Sequence, residues 1–202
     1  MKLYDLKAGA NTRRVRIFLA EKGVTFPTVE VDRMKGENLT PEYLGKNPMG
    51  RMPLLELDDG TFIAESVAIC RYVEELHPQP SLFGTTPLER GMVEIWNRRM
   101  EFELLRPITD HFVNLSPFWE GRRTQVAQAG HVARAQAESR MRWLNDQLAA
   151  RPFIAGDHYT IADITAQCAC VLGKHTGTPI SAELGYLTQW FRCVSKRPTV
   201  RA

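Results

Sequence analysis

The apolar positions fall into two regimes along the chain. Up to Leu76 they switch between strand and helix spacing. Leu3-Tyr4-Asp5-Leu6 has the pattern of a short strand and Gly9-Ala10-Asn11-Thr12 that of a turn; Val15, Ile17, Phe18 and Leu19 form a mainly apolar helix that stops at Lys22-Gly23. Asn11 or Thr12 is the expected N-cap of that helix. Thr25 to Val31 is rich in β-branched residues and predicts a second strand, so that the βαβ order implies a parallel pair with a right-handed crossover. Pro41-Glu42-Tyr43-Leu44 opens a short helix. Pro53 to Leu57, an Asp58-Asp59-Gly60 turn and Thr61 to Ile63 predict an antiparallel hairpin. Glu65 to Leu76 closes the segment as a helix, with Val67, Ile69, Tyr72, Val73 and Leu76 on its apolar side.

The stretch HPQPSLFGTTP at 77–87 holds three prolines and a glycine and cannot continue a helix. Beyond it the spacing is helical throughout. Leu88 to Arg106 carries Met92, Ile95, Trp96, Met100 and Leu104 on one face, and Pro107 is expected to kink or end it. Ala133, Ala137, Met141, Leu144 and Leu148 form a second stripe, and Tyr186, Leu187, Trp190, Phe191 and Val194 a third. In PFIAGDHYTIADI, Thr160 and Asp163 have the spacing of a capping box, which makes Asp163 structural rather than catalytic. The expected division is 1–78, a linker at 79–87, and an all-helical domain at 88–202.

Composition narrows the class. The chain has 202 residues, 44% of them apolar and 24% charged, with a net charge of +3. These values fit a globular protein and give no argument for a nucleic-acid or membrane-surface partner. The arginines of NRRMEFELLR alternate with acids, as on a solvated face. No stretch approaches the roughly 18 apolar residues of a membrane span, and the N-terminus lacks the apolar core of a leader peptide. Cys70, Cys168, Cys170 and Cys193 include no C-x-x-C pair and no histidine at zinc-ligand spacing, so no metal is expected. They fit buried reduced thiols, and hence a cytoplasmic protein.

Pro53 poses the chemical question, because it begins a strand without an N–H to give. Three motifs answer it together: N-P-x-G-x-x-P at 47–53, E-S-x-A-I-x-x-Y at 65–72, and F-I-A-G-D-x-x-T-I-A-D-I at 153–164. With the βαβ–α–ββα order and the Pro-rich linker, the chain resembles a soluble glutathione transferase. In its site pattern it is most similar to the Nu-like, Beta-like and Theta-like bacterial members. The resemblance implies a thioredoxin-like α/β domain (βαβ-α-ββα, with a mixed four-stranded sheet) followed by an all-α bundle. It also implies a homodimer that uses glutathione as co-substrate.

The implied contacts follow the chemistry of a tripeptide with two carboxylates, an amine and a thiol. A cis Met52–Pro53 peptide turns the Met52 N–H and C=O outward, where they can hold the cysteinyl unit as an added strand. Glu65 and Ser66 sit at a helix start that suits the γ-glutamyl group: N–H donors and the Ser66 hydroxyl for the carboxylate, Glu65 for the amine. A plain N-cap pair would have the same residue types. Asn38 and Arg51 are the candidates for the glycyl carboxylate, although the family's His and Lys are missing near Asn38 and Arg51 replaces a usual Lys or Gln. Asn38 also fits a loop residue, and Arg51 a solvated charge.

The thiol end departs furthest from the family. A free thiol is only about 3% ionised at neutral pH, and lowering its pKa by two units takes ~2.7 kcal/mol of preferential thiolate binding. The family's Tyr would fall near Leu6-Lys7, its Ser near Gly9, and its Cys at Asn11. Asn11 is therefore the first candidate as an amide donor to the thiolate, and Thr12 the second; Asn11 could equally be only a helix cap. Arg13, Arg14 and Arg16 crowd the same turn; they are expected to be mostly solvated, the alternative being that they help hold a glutathione carboxylate or a positive potential near the thiolate. The Ser-Ser-Cys of the isomerase-like class is absent, which argues against maleylacetoacetate isomerisation. Trp96, Met100, Phe112, Phe118, Trp119 and His175 are candidates for an apolar wall facing a second substrate. The function implied is a detoxifying attack of the glutathione thiolate on a small electrophile. Reduction of disulfides and a non-catalytic binding role on the same fold are the alternatives.

Overall fold

The computed structural model describes residues Met1–Ala202, which divide into two compact units: Met1–Ser81 with Thr199–Ala202, and Leu82–Pro198. In the first unit the order is β1 (Lys2–Asp5), α1 (Ala10–Glu21), β2 (Thr28–Glu30), α2 (Pro41–Lys46), β3 (Leu54–Glu56), β4 (Phe62–Ala64) and α3 (Ser66–Leu76). The strands lie in the order β2-β1-β3-β4, with β1 and β2 parallel and the other pairs antiparallel. This is the expected mixed four-stranded sheet.

Local chemistry explains the boundaries. At the end of α1 the Val24 N–H returns to the Leu19 carbonyl at 2.9 Å while Gly23 takes φ +66°, a glycine stop. The second strand is shorter than its β-branched run, because Pro27 gives its carbonyl to the Leu3 N–H but has no N–H to return. On α1, Val15, Ile17, Phe18 and Leu19 are buried, and on α3 Ile69, Cys70 and Val73. Leu76, expected on the apolar side of α3, is 46% exposed. Glu74 is buried instead, paired at 2.5 Å with the buried Lys22 that follows α1, which also donates to the Pro80 carbonyl.

The second unit is helical, as expected: α4 (Pro87–Arg99), π-helical turns over Met100–Leu105, α5 (Arg106–Leu115), α6 (Ala127–Leu148), α7 (Ile161–Thr176) and α8 (Gly185–Ser195). Pro107 neither ends nor simply kinks the helix. It falls in the first turn of α5, after the wider π turns have broken the regular ladder that a proline cannot join. The expected linker is partly absorbed, since Leu82 and Phe83 are buried and the Leu82 carbonyl accepts from the Ile161 N–H. The α6 stripe is buried at all five positions. Met92, Ile95 and Tyr186, however, are exposed, and Val93, Asn97 and Leu187 point inward. The Thr160–Asp163 capping box forms, and Asp163 also accepts from the Ile154 N–H at 3.0 Å and the Trp190 indole at 2.8 Å.

Cys70, Cys168 and Cys170 are buried free thiols, but Cys193 is exposed. Burial pushes the Cys170 thiol up to about 12. No helix is long and apolar enough to cross a membrane.

Candidate functional site

Strand register assembles the site. Tyr4 pairs with Leu54, and Leu54 with Ala64. Continuing both ladders by two residues sets Leu6 and Ser66 on either side of Met52. The carboxyl ends of β1 and β4 and the start of β3 therefore meet at one edge of the first unit, and α1 and α3 both begin there. The carboxyl ends of strands, with helix N-termini beside them, are where open α/β sheets take ligands.

The loop into β3 is held by side chains. The Asn38 amide donates to the Gly50 carbonyl at 2.7 Å; the Asn47 amide and the Tyr43 hydroxyl donate to the Arg51 carbonyl at 2.8 and 2.9 Å. Burial pushes the Tyr43 hydroxyl up to about 12, so it stays a donor. Gly50 has φ +58°, and a Cβ there would lie 2.9 Å from the Asn38 carbonyl oxygen. The Met52–Pro53 peptide is cis, as expected, and a second cis bond, Gln79–Pro80, had no sequence signal. The Met52 N–H and C=O make no hydrogen bond within the chain. Asn38 is buried and braces this loop, whereas the Arg51 side chain is exposed beside it.

At the start of α3, Glu65 has φ +66° and ψ 118°, and no other non-glycine residue has a positive φ. Such a conformation persists only where its surroundings impose it, often at binding sites. The Glu65 side chain is exposed and does not cap the helix. Ser66 is buried, and its Oγ accepts from Arg14 Nη1 at 2.7 Å. The N–H groups of Ser66, Val67 and Ala68 have no intrahelical acceptor.

At the start of α1 two expectations change. The N-cap is Gly9, not Asn11 or Thr12. Asn11 is exposed in the first turn with no side-chain hydrogen bond, so it is open to a ligand. Thr12 is buried, with Oγ1 2.6 Å from the Leu6 carbonyl and 2.9 Å from that of Gly9. Its single hydroxyl proton thus closes the turn, and only its main-chain N–H is left for a ligand. The three arginines are not mostly solvated either. Arg14 is fully buried; Arg16 Nη1 lies 2.7 Å from both Asp5 oxygens, and Arg13 Nη2 donates to the Val200 carbonyl at 3.0 Å. The helical spacing of Arg14, Ile17 and Phe18 was the available signal, since it puts Arg14 on the apolar face.

In the second unit, Phe112, Phe118 and Trp119 come together with ring centroids 5.0–6.0 Å apart. Trp96 is core rather than wall: it stacks on Trp143, and the Arg151 guanidinium lies 3.8 Å from its ring centroid. Met100 is fully enclosed and cannot touch a substrate. His175 is exposed in the last turn of α7, away from any ring contact. No cluster of three or more His, Cys, Asp or Glu side chains could hold a metal ion.

Comparison with known proteins bears on the family and the fold. Residues 8–76 match the family model of the glutathione S-transferase N-terminal domain. Glutathione S-transferase 2 of Saccharomyces cerevisiae is 38% identical over 100% of this chain and 88% of its own length. Glutathione S-transferase GstA of Escherichia coli O157:H7 is 31% identical over 100% of this chain and 96% of its own. The crystal structure of Gtt2 from Saccharomyces cerevisiae superposes with a TM-score of 0.94 at 38% identity, covering 100% of this chain and 99% of that one. The chain belongs to the glutathione S-transferase family.

Proposed function

We propose that the protein binds glutathione at the edge where β1, β3 and β4 meet and conjugates it to a small electrophile. The observation that carries this reading is the unpartnered main chain of Met52, set between the starts of α1 and α3. The cysteinyl unit pairs with Met52 ahead of Pro53. The γ-glutamyl carboxylate takes the α3 amides and the Ser66 hydroxyl, and Glu65 takes the amine. The exposed Arg51 guanidinium receives the glycyl carboxylate.

The sulfur then lies at the start of α1, where the Asn11 side-chain amide and the first helical N–H groups favour thiolate over thiol. Once the proton has left for solvent, sulfur forms the new bond to the electrophilic carbon and the leaving group departs with its electron pair. A homodimer is supported by the exposed row Leu88, Met92, Ile95 and Phe102, and a reducing cytoplasm by the free buried thiols.

Calorimetric titration with glutathione, followed by an aryl-halide conjugation assay, tests the reading. Binding below millimolar is expected, with Asn11→Ala lowering kcat/KM by about tenfold or more. Absence of binding at millimolar glutathione overturns it. Binding with disulfide reduction but no conjugation assigns the site to thiol–disulfide exchange, and binding without either turnover leaves a non-catalytic binding protein.

A further inference from the structure

We propose that Arg14 is a positioning residue for the carboxylate end of the ligand, acting through Ser66; this inference rests on the glutathione reading above. Arg14 is fully buried, and its Nη1 lies 2.7 Å from Ser66 Oγ at the first residue of α3. A guanidinium can only donate, so this bond fixes the serine oxygen as acceptor. The one proton of the Ser66 hydroxyl is then left for another acceptor. A carboxylate at the start of α3 is the acceptor that the flanking N–H groups also favour.

Burying a guanidinium is costly, and a leucine would fill the same apolar stripe on α1 without that cost. What an arginine adds is a charge-assisted donor one hydrogen bond behind the proposed anion site. The geometry also joins the two ends of the ligand. The helix whose first turn carries Asn11 carries Arg14 in the next, so the groups proposed for the thiol and for the γ-glutamyl carboxylate sit on one rigid element. The specificity that follows is for γ-glutamyl compounds that keep their α-carboxylate.

The test compares glutathione with 4-aminobutyryl-cysteinylglycine, the same tripeptide without the α-carboxylate, by equilibrium competition. Arg14→Met and Ser66→Ala are each expected to weaken glutathione about tenfold or more and to change analogue affinity less than twofold. In the Ser66→Ala background, Arg14→Met should add less than threefold. Equal weakening of both ligands, no weakening of either, or an Arg14 effect undiminished in Ser66→Ala would overturn the proposal. Arg14→Lys keeps the charge and donors and should recover part of the selectivity, so it serves if Arg14→Met does not fold. Wild-type protein that fails to bind glutathione would defeat the functional reading itself, whereas lost selectivity control with intact binding defeats only this inference.

Discussion

Gly9 and Thr12 compete for the same space. A Cβ on Gly9 would stand 2.7 Å from Thr12 Oγ1 and 3.1 Å from the Leu6 carbonyl. The space beside residue 9 is therefore filled from three residues further on. Gly9→Ala should destabilise the first unit by ~1–3 kcal/mol, the usual range for forcing extra volume into packed structure. Thr12→Ala removes both the clash and the bond that closes the turn. Combined with Gly9→Ala it should cost less than the sum of the two single changes, measured by urea denaturation. Strict additivity would mean that the turn relaxes around residue 9 without involving Thr12. A second residue-scale feature is Glu65, whose φ of +66° no sequence pattern announces. Glycine there would relax the backbone but remove the carboxylate proposed for the ligand amine.

Among the elements, α7 is the one whose start is most heavily bonded. Asp163 is buried and takes donors from Thr160, Ile154 and Trp190. Burial nevertheless outweighs these bonds and pushes its carboxyl up to about 6 from an ordinary 3.8. Between those values the native carboxyl holds a proton that the unfolded one has released. This contribution is thus fully present below about pH 4 and is lost as pH rises through 6, ~3 kcal/mol in all. Asp163→Asn cannot titrate. The stability of wild type minus that of Asp163→Asn, from urea unfolding, should fall as pH rises from 4 to 7; a difference that grew would reverse the sign. The capping box itself was legible, because its partners are three residues apart. The partners Ile154 and Trp190 were not, because they depend on how the surrounding segments fold back.

For the whole molecule, the division into units does not follow chain order. Thr199–Ala202 counts with the first unit. Arg13 donates to the Val200 carbonyl, Arg16 to that of Ala202 at 3.3 Å, and Thr199 Oγ1 to Glu21 at 2.5 Å. Removing residues 199–202 deletes three side-chain contacts on α1, a loss of ~1–3 kcal/mol. The melting temperature should fall by about 2–12 °C in a thermal scan, with the larger shift if the three bonds act together. An unchanged melting temperature would show that the tail adds nothing to the unit.

The sequence by itself determined what short-range interactions decide. The glycine stop after α1, the Asp-Asp-Gly hairpin, the capping box at Thr160 and the N-P-x-G-x-x-P loop each depend on residues within a few positions of one another. So did the alternation that gave the mixed sheet and the stripes of the helical unit. Tertiary structure alone decided what the polar residues on those elements do. It turned Thr12 inward to close its turn, set Asn38 to brace the loop at Gly50, and left Asn11 open. It also took three arginines that looked solvated and gave each a partner. Arg14 and Ser66 are 52 residues apart in the chain. A helix period places a residue on the inner face, but it cannot say which distant acceptor waits there. The packing of one element on another supplies that acceptor, and with it the polarity of the site.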